Sequence, residues 1–256
     1  MTSRNFAVVR RHASHIPGTQ GRFEVLQPAS PRYILLAAAW NKAVDAILSD
    51  RGILAVRAYL AMELLAHGHA GFHRNHSYVI GIARIFVEQL NARSPLLVDD
   101  GTFSTTQIVA EHPRGSWSGS YDDFNIRAQA IKLNSVWVNL AVQAMETYRR
   151  NPTNLTSATF QLSLFRLVHG NIHESGHLLQ TFAGNGLRNT PPPMSGGRLS
   201  RGDGPEGGEV FEKMMIGGLL DFYNDNSQLG RCFGFPWVSF DPESSDGLNQ
   251  QEDARR

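Results

Sequence analysis

The chain has 256 residues, of which 41% are hydrophobic, and its formal net charge at pH 7 is +1. This composition predicts a single domain with a sizeable core, and the near-neutral charge gives no electrostatic basis for binding nucleic acid. Cys232 is the only cysteine, which excludes a disulfide within the chain. Together with the lack of an apolar segment typical of a signal peptide, this predicts a cytoplasmic protein.

The first third of the chain is predicted to be largely helical after a short strand at residues 6–9. Apolar residues recur at helical spacing over residues 33–48, 52–65 and 78–91. The apolar run 33–40 is too short to cross a bilayer, so no membrane partner is expected. Four histidines lie among glycines between the second and third helices and are interpreted as a solvated loop rather than a second metal site: His67, His69, His73 and His76.

Strand-like segments follow, at residues 96–98, 107–110 and 124–133, and predict a small sheet. If the protein cleaves peptides, residues 124–133 should form an edge strand at the rim of the substrate cleft, because an extended substrate needs backbone partners. Trp117 and Tyr121 precede this segment and are candidates for the cleft wall. Ser135 is expected to cap a helix over residues 136–149.

A long apolar helix, capped at Thr156 or Ser157 and ending near Gly184, carries the most informative motif. This motif is His-Glu-x-x-His, from His173 to His177. Side chains four residues apart lie on one face of a helix, so both imidazoles can bind one metal ion. Core histidines that only hydrogen-bond are the structural alternative, which would need several partners to offset their desolvation.

The motif predicts zinc-dependent hydrolysis. Zinc lowers the pKa of a water molecule that it binds, and Glu174, offset by one residue from His173, can accept the proton. His173 and His177 are therefore predicted metal ligands, and Glu174 is the predicted general base. His169 and Tyr223 are possible groups to stabilise the oxyanion, but core packing or capping explains each of them more simply.

A catalytic zinc usually has three protein ligands, so a third is required. The longer metzincin signature is excluded, because this chain has Gln180 and Ala183 where that signature has Gly and His. The remaining common solution is a carboxylate from a second helix, for which segment 205–216 offers Glu206, Glu209 and Glu212. Glu206 suits the helix dipole without any metal, whereas Glu209 and Glu212 share nearly one face. The depth of Glu212 in the helix, and room left by Gly208, favour Glu212.

These residues resemble the gluzincin branch of the zincin metallopeptidases, and more narrowly short zincin-like proteins common in fungi. The pattern of those proteins joins a His-Glu-x-x-His helix, a Thr-Pro-Pro loop and a Gly-Glu-x-Gly-x-x-x-Glu helix start. Residues 190–192 match the loop, and Glu206, Gly208 and Glu212 match the last element. Pro205 stands where the pattern has its first glycine. The resemblance covers roughly residues 160–225.

The resemblance implies an α+β, zincin-like fold with one zinc ion, in which Glu212 matches the last acid of the pattern. We expect a catalytic domain over residues 1–240 and a disordered polar tail over residues 241–256. The expected function is that of a metallopeptidase cleaving an amide bond. The alternatives are a zinc Lewis-acid enzyme acting on a small metabolite and a metal-binding pseudoenzyme. The expected partner is thus a peptide or a small-molecule substrate.

Overall fold

A computed structural model describes residues 6–12, 23–66, 76–113, 117–184, 207–222 and 236–239. Within these ranges the chain forms six α-helices, a mixed five-stranded sheet and a separate pair of strands, which confirms the predicted α+β class. Several predicted features fall outside the described residues: His67, His69, His73, residues 190–192, Pro205, Glu206, Tyr223, Cys232 and the tail 241–256.

The six helices lie close to the predicted helical segments. They are α1 (Pro31–Ile47), α2 (Asp50–Ala66), α3 (His76–Ala92), α4 (Ser135–Arg150), α5 (Asn154–Gly184) and α6 (Gly207–Ile216). Among these helices, none combines the length and hydrophobicity that crossing a bilayer requires.

Two predicted helix caps are wrong by a few residues. The side chain of Asn134, not of Ser135, accepts the N–H of Val136 at 3.1 Å and caps α4. Helix α5 begins before Thr156, because the hydroxyl of Thr153 accepts the N–H of Thr156 at 3.2 Å. In both cases an earlier side chain already satisfies an N–H of the first turn, so the helix starts sooner.

The main sheet has the order β2-β1-β3-β5-β4. Its strands are β1 (Val8–Arg11), β2 (Phe23–Val25), β3 (Leu96–Asp100), β4 (Ala110–Glu111) and β5 (Ala130–Asn134). The three inner strands are parallel, and both edge strands pair antiparallel to their neighbours. Two further strands, β6 (Leu219–Phe222) and β7 (Pro236–Ser239), pair antiparallel with each other.

The prediction for residues 124–133 is wrong. Only Ala130–Asn134 is a strand, and it is an inner strand paired with β3 and β4. The preceding residues form two short 3-10 turns, Tyr121–Asp123 and Ile126–Ala128. The side chain of Asn125 accepts the N–H of Arg127 at 3.1 Å, a local hydrogen bond that favours a turn over an extended strand. The edge position belongs to β4 instead.

Helix α5 lies at the centre of the molecule, packed against α1, α2, α4 and α6, with β4 and β5 also in contact. Its second half is buried on nearly all sides, with Leu167, Leu178 and Phe182 fully inaccessible. The His-Glu-x-x-His motif lies in this half of α5, which packs against α6 and the edge strand β4.

Candidate metal centre

Helix α5 brings the two motif histidines together as the four-residue spacing predicts. The ring centroids of His173 and His177 are 5.2 Å apart. One ligand atom from each histidine and a carboxylate oxygen of Glu174 all lie within 4.8 Å of one another. This is the only group of three or more potential ligands at that spacing in the described part of the chain.

Glu174 is held by the edge of the sheet. Its carboxylate is buried, with 4% of the residue exposed, and Oε2 accepts the backbone N–H of His112 at 2.6 Å. His112 directly follows β4. The strand thus fixes one oxygen of the predicted general base while the base remains beside the two imidazoles.

The side chain of His112 ties the same strand end to its surroundings. Its Nδ1 lies 2.8 Å from the carbonyl oxygen of Ala130 in β5, and its Nε2 lies 3.1 Å from Thr181 Oγ1 in α5. The Thr181 hydroxyl donates in turn to the carbonyl oxygen of His177 at 3.0 Å. His112 was missed from the sequence, since its only signal is its position just after a strand-like segment.

Helix α6 approaches α5 closely through two glycines. A Cβ on Gly176 would lie 3.0 Å from the Cα of Gly208 and 2.8 Å from the Cβ of Phe211. A Cβ on Gly208 would overlap the imidazole of His173. The expectation that Gly208 leaves room for close approach is confirmed, and it places α6 directly against the motif.

Glu212 extends from α6 toward this face of α5. Its Oε2 lies 3.3 Å from His173 Nδ1, and its Oε1 accepts the N–H of Leu220 at 2.6 Å. His169 Nε2 lies 2.8 Å from Oε1. Burial favours a raised pKa for Glu212, but the contacts with His169, His173 and the Leu220 N–H outweigh it and lower the pKa to about 2.

Three further residues considered from the sequence, Glu212, Glu209 and His169, lie near the motif or on the facing helix. Glu212 contacts His173 but is not part of the group formed by His173, Glu174 and His177. Glu209 lies half-buried in the first turn of α6. His169, interpreted from the sequence as a packing or capping residue, contacts Glu212 instead.

Trp117 and Tyr121 pack at the C-terminal end of α5. Trp117 Nε1 donates to the carbonyl oxygen of Thr181 at 2.7 Å, and the Tyr121 hydroxyl donates to that of Ala183 at 3.4 Å. Both rings also contact Phe182. Burial, and to a lesser degree Tyr78, raises the pKa of Tyr121 to about 12. The two aromatic residues therefore have a structural role, because they donate to carbonyl oxygens in the last turn of α5.

The donor set of the motif suits a zinc ion, which prefers imidazole nitrogen and carboxylate oxygen. The 3.3 Å contact between Glu212 Oε2 and His173 Nδ1 has the length of a hydrogen bond, and Glu212 stands outside the group of His173, Glu174 and His177. No family model, curated protein or solved structure matches this chain, so the assignment of the site depends on its own residues.

Proposed function

We propose that this protein is a zinc-dependent hydrolase of zincin-like architecture that cleaves an amide bond. The observation that carries the proposal is the convergence of His173, Glu174 and His177 at one place on α5, with Glu212 brought to His173 by a second helix. In this proposal His173, His177 and Glu212 hold the ion, and Glu174 is the general base. The two carboxylates are buried and lie beside partly exposed imidazoles, and they need a cation or several donors to offset their desolvation.

A bound zinc ion would supply Lewis acidity, polarising the scissile carbonyl and acidifying an attacking water molecule. The protein would contribute the proton transfer. Glu174 accepts the proton of the water, and the N–H of His112 fixes the orientation of its carboxylate. Burial of Glu174 keeps competing water away from the base.

The edge strand supports an extended peptide as the substrate. The N–H of Asn134 donates to the carbonyl oxygen of Val109 at 2.9 Å. Because backbone groups alternate in direction along an antiparallel strand, Ala110 and His112 direct theirs away from β5. The bond from the His112 N–H to Glu174 agrees with this alternation. Because Glu174 accepts the N–H of His112, a peptide would pair with the outward backbone groups of Ala110 and would lie beside the predicted general base.

One observation favours a small-metabolite substrate instead. The edge strand β4 comprises only Ala110–Glu111, which is short for binding a peptide by strand addition, and the longer strand that the sequence predicts at this rim is an inner strand. We therefore retain a zinc Lewis-acid enzyme acting on a small molecule as the second candidate. Peptide cleavage itself separates the two candidates.

The test combines zinc content with peptide cleavage. We expect about one zinc ion per chain by elemental analysis, loss of zinc in His177→Ala, and retained zinc without turnover in Glu174→Gln, because Gln cannot accept the proton. Cleavage of a peptide library is followed by mass spectrometry. Full activity in Glu174→Gln would remove the hydrolase mechanism. Stoichiometric zinc without any cleavage that depends on Glu174 would favour the small-molecule enzyme, and a zinc-free wild type would end the proposal.

The same measurement separates the candidate third ligands. Glu212→Gln should lower the zinc content, whereas the matched change Glu209→Gln on the same helix should preserve it. The reverse result would move the third ligand to Glu209.

A further inference from the structure

We infer that His169 is a positioning residue that holds Glu212 in the orientation required at the metal centre. The inference depends on the proposed zinc site and adds a residue to it. His169 lies one helical turn before His173, so its side chain reaches the same face of α5. Its Nε2 is 2.8 Å from Glu212 Oε1, and 9% of the residue is exposed.

The two oxygens of Glu212 have different environments. Oε1 faces the anchoring groups, His169 Nε2 and the N–H of Leu220, at 2.8 and 2.6 Å. Oε2 faces His173 at 3.3 Å. His169 and the N–H of Leu220 thus contact Oε1, which leaves Oε2 facing the imidazole of His173.

The second anchor is provided by the turn that follows α6. Gly217 ends the helix with a φ of 90°, a conformation that favours glycine, and its N–H donates to the carbonyl oxygen of Lys213 at 2.8 Å. The chain then enters β6 with the N–H of Leu220 directed at Glu212. Glu212 is thus held from α5 by a side chain and from its own helix end by the backbone.

Positioning matters here because a glutamate side chain has three rotatable bonds. Without its anchors, Glu212 would have to lose more rotamer freedom each time an ion binds. Polar partners of metal-binding side chains typically change metal affinity by about 10- to 100-fold when they are removed. A histidine that only fills space in the core would stabilise the fold without changing that affinity.

The experiment compares two substitutions of similar length in the full chain. His169→Gln retains an N–H donor, whereas His169→Met removes it and remains compatible with a helix. Zinc affinity of the metal-free proteins is measured by competition with a chromogenic chelator, and circular dichroism verifies folding. We expect His169→Met to weaken zinc binding by about 10- to 100-fold and His169→Gln to recover most of the loss.

Asn171→Ala is the matched control. Asn171 is buried in the same helix, and its side chain donates to the carbonyl oxygen of Leu167 within that helix. This variant should lose stability but keep the wild-type zinc affinity. If His169→Met does not fold, His169→Leu replaces it. Equal zinc affinity in His169→Gln and the folded donor-free variant would overturn the inference while leaving the zinc site intact. A wild type that binds no zinc would overturn both.

Discussion

At the residue scale, Gly208 determines how closely the second helix can approach the motif. A side chain at this position would occupy the space that the His173 imidazole fills. Gly176, on α5, must also lack a side chain. A Cβ there would contact the Cα of Gly208 and the side chain of Phe211. The contact between α5 and α6 therefore depends on two positions with no side chain, one on each helix.

Gly208→Ala is predicted to damage the metal centre. The added methyl group must displace His173 or move α6 outward, which should cost about 1–3 kcal/mol in the free energy of unfolding. Zinc content should fall as well, because the imidazole loses its position. Chemical denaturation and elemental analysis measure the two effects.

Gly81→Ala is the control for this prediction. Gly81 lies within α3, and a Cβ there would have no heavy atom within 4 Å. Because alanine favours a helix interior over glycine, this variant should gain about 1 kcal/mol of stability and keep its zinc. If Gly208→Ala resembles Gly81→Ala in both measurements, the close approach of α6 is not required for the site.

At the scale of elements, the N–H of His112 joins the end of the edge strand to the motif helix through the carboxylate of Glu174. We expect Glu174→Ala to accelerate exchange of the His112 amide hydrogen by about 10- to 100-fold, since a hydrogen bond to a charged group contributes about 1.5–3 kcal/mol. Glu174→Gln should retain much of the protection, because its amide oxygen still accepts. NMR hydrogen exchange measures both variants.

The amide of Asn134 provides the internal reference for this exchange. It pairs with Val109 between β5 and the residue before β4 and does not involve Glu174. Its exchange should be the same in all three proteins. Unchanged exchange of His112 in Glu174→Ala would mean that the strand is not held by this carboxylate.

The helices were predictable because their apolar residues repeat at helical spacing, and burial follows that spacing in α1. Residues 124–133 resemble a strand in sequence because apolar residues alternate or cluster there, and Phe124, Ile126, Ile131 and Leu133 are buried in the structure. The 3-10 turns there are stabilised by local side-chain bonds such as that of Asn125, which the hydrophobic pattern does not encode.

The candidate site was predictable only where its residues are close in sequence. The spacing of His173 and His177 follows from helix geometry alone. His112 and His169 meet Glu174 and Glu212 across sequence separations that no local pattern specifies. Glu212 is predicted as a ligand from its depth in the helix, the room left by Gly208 and the family resemblance, but its contacts with His169 and Leu220 depend on how α6 packs and where its following turn leads.

At the scale of the whole molecule, Asp99 links the sheet to the helices that surround α5. This fully buried carboxylate at the end of β3 pairs with Arg32 of α1 at 2.7 Å and with Arg10 of β1 at 3.6 Å. It also accepts the hydroxyl of Ser135, the first residue of α4. Because α1 and α4 both pack against α5, Asp99 supports the scaffold on which the candidate site is built.

Asp99→Ala is predicted to lower the free energy of unfolding by about 3 kcal/mol, the lower end for removing one partner of a buried pair, because Arg32 keeps some access to water. Arg84→Ala is the matched control, since Arg84 pairs with Glu88 where both side chains are more than two-thirds exposed, and it should change stability by less than about 0.5 kcal/mol. Urea denaturation measures both. The folded Asp99→Ala protein should still bind zinc, because Asp99 contacts none of the proposed ligands. A loss below about 1 kcal/mol would show that the arginines and Ser135 do not depend on this carboxylate.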